Sequence, residues 1–263
     1  MNTKTVISAK DLSLTFQTND GQVQALKDVS LNINQGDFVS FIGPSGCGKT
    51  TFLRLMADLE APTAGSITVN GQSPEVARRA RAYGYVFQAA GLYPWRTIGG
   101  NISLPLEVMG YDKAAQADRV RHVLDLVELN GFEKKFPWQL SGGMQQRASI
   151  ARALAFDADL LLMDEPFGAL DSQTRSLMQE NLLALWRDLH ITVVFVTHDI
   201  DEAVLLADRI LVMGSNPGHV VRSLDVSLPR PRSSDSTLLP EFLSLRKQCL
   251  DLIRVETMST FEN

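Results

Sequence analysis

The stretch GPSGCGKTT (43–51) stands between an apolar run, FVSFI (38–42), and a segment of helical character, TFLRLMADL. It matches the pattern G-x-x-x-x-G-K-S/T in the strand–loop–helix context that this pattern requires. The glycines at 43, 46 and 48 allow backbone N–H groups to curl around a phosphate, and the following helix N-terminus adds a favourable dipole. The stretch therefore predicts a nucleoside triphosphate site in an α/β fold.

Within this phosphate loop (residues 43–51), the side chains suggest a division of roles. Lys49 is expected to reach the β- and γ-phosphates, and Thr50 to offer its hydroxyl to Mg²⁺. Cys47 occupies a variable position, where it is either a tolerated residue or a redox-sensing thiol. The predicted nucleotide-binding set of the loop is Gly43, Pro44, Ser45, Gly46, Cys47, Gly48, Lys49, Thr50 and Thr51.

Two more apolar runs, LLLM (160–163) and TVVFV (192–196), also end at polar residues. Such runs are typical of central strands that helices cover on both faces. In open α/β sheets, sites form beyond the carboxyl ends of the strands, so the three strand ends are expected to converge.

The residues at these strand ends suit phosphate chemistry. Asp164 is predicted to hold the hydration shell of Mg²⁺, Glu165 to orient and deprotonate the attacking water, and His198 to contact the γ-phosphate. Gln88, which closes the short run YGYVF, is predicted to sense Mg²⁺ or the water. Phe16 is placed either against an adenine ring or in the core.

The remaining pattern indicates several regions. Residues 5–42 predict strands, with Val29, Leu31 and Ile33 alternating as in a half-buried antiparallel strand. Residues 89–156 predict an inserted helical region, and residues 175–189 a further amphipathic helix. We expect an ATPase domain over residues 1–220 and a tail over 221–263 that contains a short amphipathic helix.

Composition narrows the class of protein. The net charge of −5 disfavours a nucleic-acid surface, and Cys47 and Cys249 suggest neither a disulfide framework nor a metal motif. No apolar run approaches the roughly 18 residues of a membrane span, and the N-terminal residues lack a signal-peptide core. These features predict a cytosolic chain whose membrane role depends on a partner.

Six motifs together resemble one family, the nucleotide-binding subunits of ATP-binding cassette (ABC) transporters. They appear in the family's order over about residues 6–220: GPSGCGKTT, the segment at Gln88, LSGGMQQR (140–147), LLLMDEP (160–166), GALD (168–171) and VTHD (196–199). The resemblance implies a P-loop NTPase core with a mixed sheet, an N-terminal antiparallel β subdomain and an inserted α-helical subdomain.

The resemblance also implies a reason for the second glycine turn. In this family the LSGG turn binds the γ-phosphate of ATP held by another subunit, which implies a head-to-tail dimer. The carried-over residues are Ser141, Gly142 and Gly143, hereafter the signature turn (residues 141–143), with Asp171 at the dimer seam. ATP and Mg²⁺ are the implied cofactors.

The implied partners are integral membrane permease subunits and, indirectly, a solute-binding protein, with the chain peripheral to the cytoplasmic face of the inner membrane. Tyr93, Pro94 and Trp95 follow Gln88 where the family docks its permease. Packing within the helical region is the other interpretation of Trp95.

A finer resemblance is to importers of nitrate, sulfonates and taurine. It depends on GLYPWRTIGGNISLPLE (91–107), the NPG turn (216–218) and LPRPR (228–232), and the sequence departs from the usual pattern at Asp58 and at Gly99–Gly100. Bicarbonate and pyrimidine vitamin precursors remain alternative cargoes. Two other classes stay open: a soluble cassette ATPase acting on nucleic acid or ribosomes, and a nucleotide-sensing module without turnover.

Overall fold

The computed structural model describes residues 4–19, 21–168 and 170–261. Within them lie nine strands: β1 Thr5–Thr18, β2 Gly21–Asn34, β3 Phe38–Ile42, β4 Ala64–Val69, β5 Tyr83–Val86, β6 Leu160–Asp164, β7 Thr192–Val196, β8 Arg209–Gly214 and β9 His219–Asp225. The same residues contain eight α-helices: α1 Lys49–Met56, α2 Pro74–Arg79, α3 Ile98–Val108, α4 Lys113–Leu126, α5 Gly142–Leu154, α6 Ser172–Leu189, α7 Ile200–Leu206 and α8 Pro240–Phe261.

The strands form two sheets. A six-stranded sheet has the order β5-β6-β7-β3-β8-β9 and is parallel except at the β8–β9 pair, so it is mixed. An antiparallel sheet has the order β2-β1-β4. The predicted α/β fold with an N-terminal antiparallel β subdomain is confirmed.

Every residue of β3, β6 and β7 is buried, because the large sheet is covered on both faces. Phe41 and Val194 face the core shared with α1 and the antiparallel sheet. Phe38 and Phe195 face the core shared with the remaining helices. Burial on both faces explains why these strands are continuous apolar runs in the sequence.

The inserted helical region contains α3, α4 and α5, which pack on one another. On α5 and its C-cap, Ala148, Ala151 and Ala155 are buried and Met144 is half-buried, so one apolar stripe faces the core. Asp58, where the sequence departs from the usual pattern of the importer group, lies just after the C-terminus of α1. This residue adopts a left-handed backbone (φ 52°) after the helix, a conformation that suits glycine but that aspartate also tolerates.

The C-terminal helix α8 packs against α7 and β8. Before it, the buried Arg232 donates hydrogen bonds to five backbone carbonyl groups, three of them at the end of α7: those of Val204, Leu205, Ala207, Val226 and Leu228. Burial lowers the pKa of Arg232 to about 10. This arginine therefore ties the chain after β9 to the helix that follows His198.

Candidate nucleotide site

The phosphate loop connects β3 to α1 and is shaped by its glycines. Gly43, Gly46 and Gly48 all have positive φ angles, of 155°, 81° and 93°. A Cβ atom at position 43 would overlap the carbonyl oxygen of Met213 on β8. The loop can therefore adopt this shape only with glycine at its first position.

Lys49 and Thr50 have their polar groups satisfied within the chain. The Lys49 Nζ donates to the carbonyl oxygens of Gly43 and Pro44, both at 2.9 Å. The Thr50 Oγ1 donates to Asp164 Oδ1 at 2.8 Å, and burial of Asp164 raises the pKa of its carboxyl group. Lys49 and Thr50 line one cleft together with Ser45, Gly46, Gly48, Thr51 and Glu165, and Asp164 lies behind Thr50.

These groups fit Mg²⁺ bound together with nucleotide phosphates. Among the described residues no group of three or more His, Cys, Asp or Glu side chains could hold a metal ion by itself. Magnesium keeps several waters and takes only one or two protein ligands beside substrate phosphates. The adjacent oxygens of Thr50 and Asp164 suit that partial coordination.

Glu165 meets Gln88 and His198 at its carboxylate. Its Oε2 atom accepts a hydrogen bond from Gln88 Nε2 at 3.2 Å and lies 2.9 Å from His198 Nδ1. The ends of β5, β6 and β7 therefore bring together the three side chains that the sequence placed at strand ends. Asp164 and Glu165 have different partners, and Glu165 leaves the strand with a left-handed backbone (φ 43°).

The signature turn lies apart from this cleft. Ser141 is the N-cap of α5 and accepts a hydrogen bond from the Met144 N–H at 3.3 Å. Ser141 and Gly142 are exposed, and a Cβ atom at position 142 would meet nothing within 4 Å. Within the described ranges no hydrogen bond joins the turn to the phosphate loop. It presents an open helix N-terminus, which favours anions.

Comparison with known proteins agrees with these motifs. The sequence profile described as "ABC transporter" matches residues 26–168, slightly more than half of the chain. The chain belongs to the ABC transporter family.

Relatives of this ABC protein are similar over nearly their whole length. It is 42% identical over 244 residues to the aliphatic sulfonates import ATP-binding protein of Bacillus cereus, covering 93% of this chain and 94% of the relative. It is 41% identical over 250 residues to the nitrate import ATP-binding protein of Synechocystis, covering 93% of each.

A solved structure of a dimeric ATP-binding cassette in a post-hydrolysis state, bound to ADP and phosphate, has a TM-score of 0.77 and 35% identity. The match covers 85% of this chain and all of that one. The chain is an ATP-binding cassette whose reaction is ATP hydrolysis.

Other predicted residues of this ABC ATPase lie outside the cleft. Asp171 caps α6 by accepting a hydrogen bond from the Thr174 N–H at 3.0 Å, and this contact lowers the pKa of Asp171. Phe16 is half-buried in β1 against the core beside the antiparallel sheet and does not line the cleft. Ala169 of the GALD segment falls outside the described residues.

Cys47 of the phosphate loop is closed to solvent. Its side chain is fully buried, and this burial raises the pKa of the thiol despite the nearby Lys49 ammonium. Reactive thiols need thiolate character and access. The packing interpretation of Cys47 is therefore favoured over a redox-sensing one.

The NPG turn supports the phosphate loop from behind. Gly218 exchanges backbone hydrogen bonds with the β2 segment, donating to Ala25 at 3.1 Å and accepting from Lys27 at 2.9 Å. A Cβ atom on Gly218 would overlap the carbonyl oxygen of Cys47. A motif that the sequence offered only as a mark of the subgroup thus packs on the nucleotide site.

Two side chains that the sequence analysis overlooked, the buried Glu202 and the half-buried Arg175, organise the loops around the site. Glu202 on α7 accepts a hydrogen bond from Thr197 Oγ1 at 2.6 Å, directly before His198. Arg175 on α6 lies 3.4 Å from Asp199 and donates to the Leu170 carbonyl at 3.1 Å. These contacts join the segment before Asp171 to the segment that carries His198.

Asn101 on α3 is fully buried and holds the residues after Gln88. Its Oδ1 accepts from the Tyr93 N–H at 2.7 Å, and its Nδ2 donates to the carbonyls of Tyr93, Arg96 and Thr97. An asparagine among the apolar residues of α3 was the available signal, since buried amides are normally hydrogen-bonded. Trp95 remains 71% exposed beside Tyr93, with ring centroids 5.1 Å apart.

Proposed function

We propose that this chain is the ATP-hydrolysing subunit of an importer and acts as a head-to-tail dimer. The observation that carries the proposal is the separation of two anion-binding elements within one chain. Lys49 of the phosphate loop is buried and its ammonium is bonded within the chain, whereas Ser141 and Gly142 of the signature turn are exposed and, within the described ranges, form no hydrogen bond to that loop. Two chains arranged head to tail would bring each signature turn against the partner's nucleotide.

On this proposal, Lys49 exchanges its two carbonyl partners for phosphate oxygens when ATP binds. Its ammonium is then placed to offset charge on the β- and γ-phosphates. Thr50 and Asp164 would hold Mg²⁺, which when bound supplies further neutralisation of phosphate charge. Backbone N–H groups of the loop complete the cradle.

Glu165 is placed to orient the attacking water and to accept its proton. In the described structure its Oε2 atom is engaged by Gln88 and His198, so these two side chains hold the carboxylate at the mouth of the cleft. His198, whose side chain is 63% exposed, can turn toward a γ-phosphate. We assign Gln88 to sensing Mg²⁺ or the water. We assign the exposed part of Phe16, which lies outside the phosphate cleft, to stacking on adenine.

The dimer seam would contain Ser141, Gly142, Gly143 and Asp171. The N-cap hydroxyl and the free N–H groups at the start of α5 are donors suited to a γ-phosphate. Asp171 also lies at a helix N-terminus and is exposed. Both elements therefore present polar groups to a second copy of the chain.

The proposed membrane partner is a permease that docks at Tyr93, Pro94 and Trp95. An exposed tryptophan held in place by neighbours is typical of interface anchors. None of the helices in the described part of the chain is long and apolar enough to cross a bilayer. We therefore propose a peripheral position on the cytoplasmic face of the membrane, with a solute-binding protein acting indirectly.

For the cargo, the relatives point to a small oxyanion. The Bacillus relative is named for aliphatic sulfonates and the Synechocystis relative for nitrate. We propose a solute of this nitrate, sulfonate or taurine class.

We also assign residues 1–220 to the ATPase domain, with the helical subdomain at about 89–156, and residues 221–263 to a tail. Strand β9 connects the two.

The variant Glu165→Gln tests this function. It removes the base while leaving the phosphate loop intact, so ATP binding should persist and turnover should fall by about 10² to 10⁴-fold. A stable dimer should then accumulate in the presence of ATP. Size-exclusion chromatography measures the dimer, and a phosphate-release assay measures turnover. Hydrolysis near the parent rate would remove Glu165 from this role, and a persistent monomer with ATP bound would exclude the shared site.

A further inference from the structure

Helix α5, which carries the signature turn, also forms hydrogen bonds with the segment around Gln88, hereafter the Gln88 loop (residues 87–97). Arg152, near the end of α5, donates from Nη1 to the Gly91 carbonyl at 2.8 Å and from Nη2 to the Ala90 carbonyl at 3.1 Å. Gln146, 4% exposed, donates from Nε2 to the Phe87 carbonyl at 3.2 Å. Side chains of α5 thus hold the backbone on both sides of Gln88.

The guanidinium of the half-buried Arg152 has backbone carbonyls as its partners. No carboxylate among the described residues forms an ion pair with it, and its burial lowers its pKa. The contact is therefore not a salt bridge, and its effect comes from the hydrogen bonds that the guanidinium donates. The planar guanidinium donates two hydrogen bonds like a fork. This fork fixes the positions of two neighbouring carbonyls at once.

Between its two ends α5 is firmly packed. Ala148, Ile150 and Ala151 are at most 1% exposed, and the helix contacts α3 and α4 along this face. Ser141 and Arg152 are eleven residues apart, or about 16 Å along the helix. A shift of the signature turn would therefore move Arg152 and the carbonyls that it holds.

We propose that Arg152 is a positioning residue that makes the Gln88 loop follow the signature turn when a nucleotide engages that turn. This inference rests on the proposed head-to-tail site. Engagement at Ser141–Gly143 would displace α5, and the Arg152 fork would carry Gly91, and with it Gln88 and the exposed Trp95, in the same direction. Gln146 would supply the second contact on the other side of Gln88.

The test uses hydrogen–deuterium exchange in the full chain carrying Glu165→Gln, so that ATP is not consumed. Peptides covering residues 87–97 are compared with and without ATP and Mg²⁺, and dimer formation is measured on the same samples. The Glu165→Gln protein is the parent for the further variants. In this parent we expect ATP to change the deuterium exchange of the Gln88 loop. Adding Arg152→Lys, which keeps the charge but loses the fork, should leave the ATP-driven dimer intact and reduce that change at least about threefold.

Arg119→Lys is the matched control, because Arg119 is also an arginine that donates to carbonyls of the same helix end. Its Nε and Nη2 atoms bond the carbonyls of Ala155 and Leu154, and it does not touch the Gln88 loop. The Gln88 loop should respond to ATP in this variant as in the parent. Arg152→Met provides a second removal of the fork if the lysine variant fails to fold.

Three results would overturn the inference. One is an ATP-dependent change in exchange of the Gln88 loop that is the same in the Arg152 variants as in the parent. Another is a reduction of that change in Arg119→Lys as large as in the Arg152 variants. The third is failure of only the Arg152 variants to dimerise, since Arg152 would then serve the signature turn itself. Failure of the Glu165→Gln parent to dimerise is a different outcome, because it removes the proposed shared site and the inference with it.

Discussion

The phosphate loop and the signature turn both place glycines at the start of a helix, but the first glycines of the two, Gly43 and Gly142, have opposite surroundings. At position 43 the backbone has φ 155° and lies against β8, so a Cβ atom would overlap Met213. At position 142 a Cβ atom would meet nothing within 4 Å, and the residue is exposed. The first glycine is required by the chain's own packing, whereas the second has no such requirement inside the chain.

This difference indicates where each turn does its work. A glycine that the fold does not need is consistent with close approach by something outside the chain, since glycine lets a ligand or another backbone come near. The Lys49 and Thr50 side chains of the phosphate loop have partners inside the chain, whereas the N–H groups of Gly142 and Gly143 have none among the described residues. The comparison therefore supports a site completed by a second copy.

Mixing two inactive variants should give the largest effect. Lys49→Ala removes the charge of the phosphate loop, and Gly142→Asp places a carboxylate where a γ-phosphate must approach, a like-charge repulsion in a confined site. Each should fail to form an ATP-dependent dimer alone. Mixed together, they can form a dimer with one intact site, which pairs Lys49 of one chain with Gly142 of the other.

Crosslinking is the appropriate measurement for this mixture, because hydrolysis can require both sites and stay low for that reason. Circular dichroism of each variant provides the folding control. If the signature turn served its own chain's ATP, every site in the mixture would retain a defect and no dimer would appear. Absence of a mixed dimer at every ratio, with both variants folded, contradicts the shared site.

Alanine at the two glycines should separate stability from assembly. Gly43→Ala forces a Cβ into the Met213 carbonyl at positive φ and should lower the free energy of unfolding by about 2 kcal/mol or more. Gly142→Ala lies in the first turn of α5 and should leave stability within about 1 kcal/mol of the parent, while weakening the ATP-dependent dimer. Urea unfolding measures the free energy of unfolding, and crosslinking measures the ATP-dependent dimer. Equal destabilisation by Gly43→Ala and Gly142→Ala would contradict the comparison.

Removing the N-cap of α5 should give the smallest effect. Ser141→Ala should cost about 1 kcal/mol of unfolding free energy, because the Met144 N–H loses its acceptor. The dimer formed with ATP should weaken further than that loss of stability explains. Asp112→Ala is the matched control, since Asp112 caps α4 by accepting from the Ala115 N–H at 2.8 Å. If both variants affect the dimer equally, Ser141 has no role beyond the cap.

Strand and helix positions were predictable where the sequence pattern is local. The runs that became β3, β6 and β7 were recognisable because burial on both faces demands continuous apolar residues. The glycines and lysine of the phosphate loop were recognisable because phosphate binding requires a particular spacing. Asn101 and Arg175 were not singled out, because their roles depend on carbonyls that only the folded chain brings near.

The NPG turn shows the same limit over a longer distance. Its sequence marks a turn, but nothing local indicates that Gly218 would lie against Cys47, some 170 residues earlier in the chain. Similarly, the neighbouring carboxylates of Asp164 and Glu165 were recognisable from the sequence, but the left-handed backbone of Glu165 was not. Backbone angles of this kind are set by the surrounding packing.

The sequence by itself determined the chemistry of this protein, because phosphate-binding turns, strand-end carboxylates and apolar runs are encoded by residue type and spacing. It also determined that the chain contains two anion-binding turns. Only the tertiary structure decided that the two turns lie apart, that Glu165 meets both Gln88 and His198, and that Arg152 holds the Gln88 loop. The physical reason is that these are contacts between distant segments, whose distances are set when the sheet and helices pack and not by any local pattern.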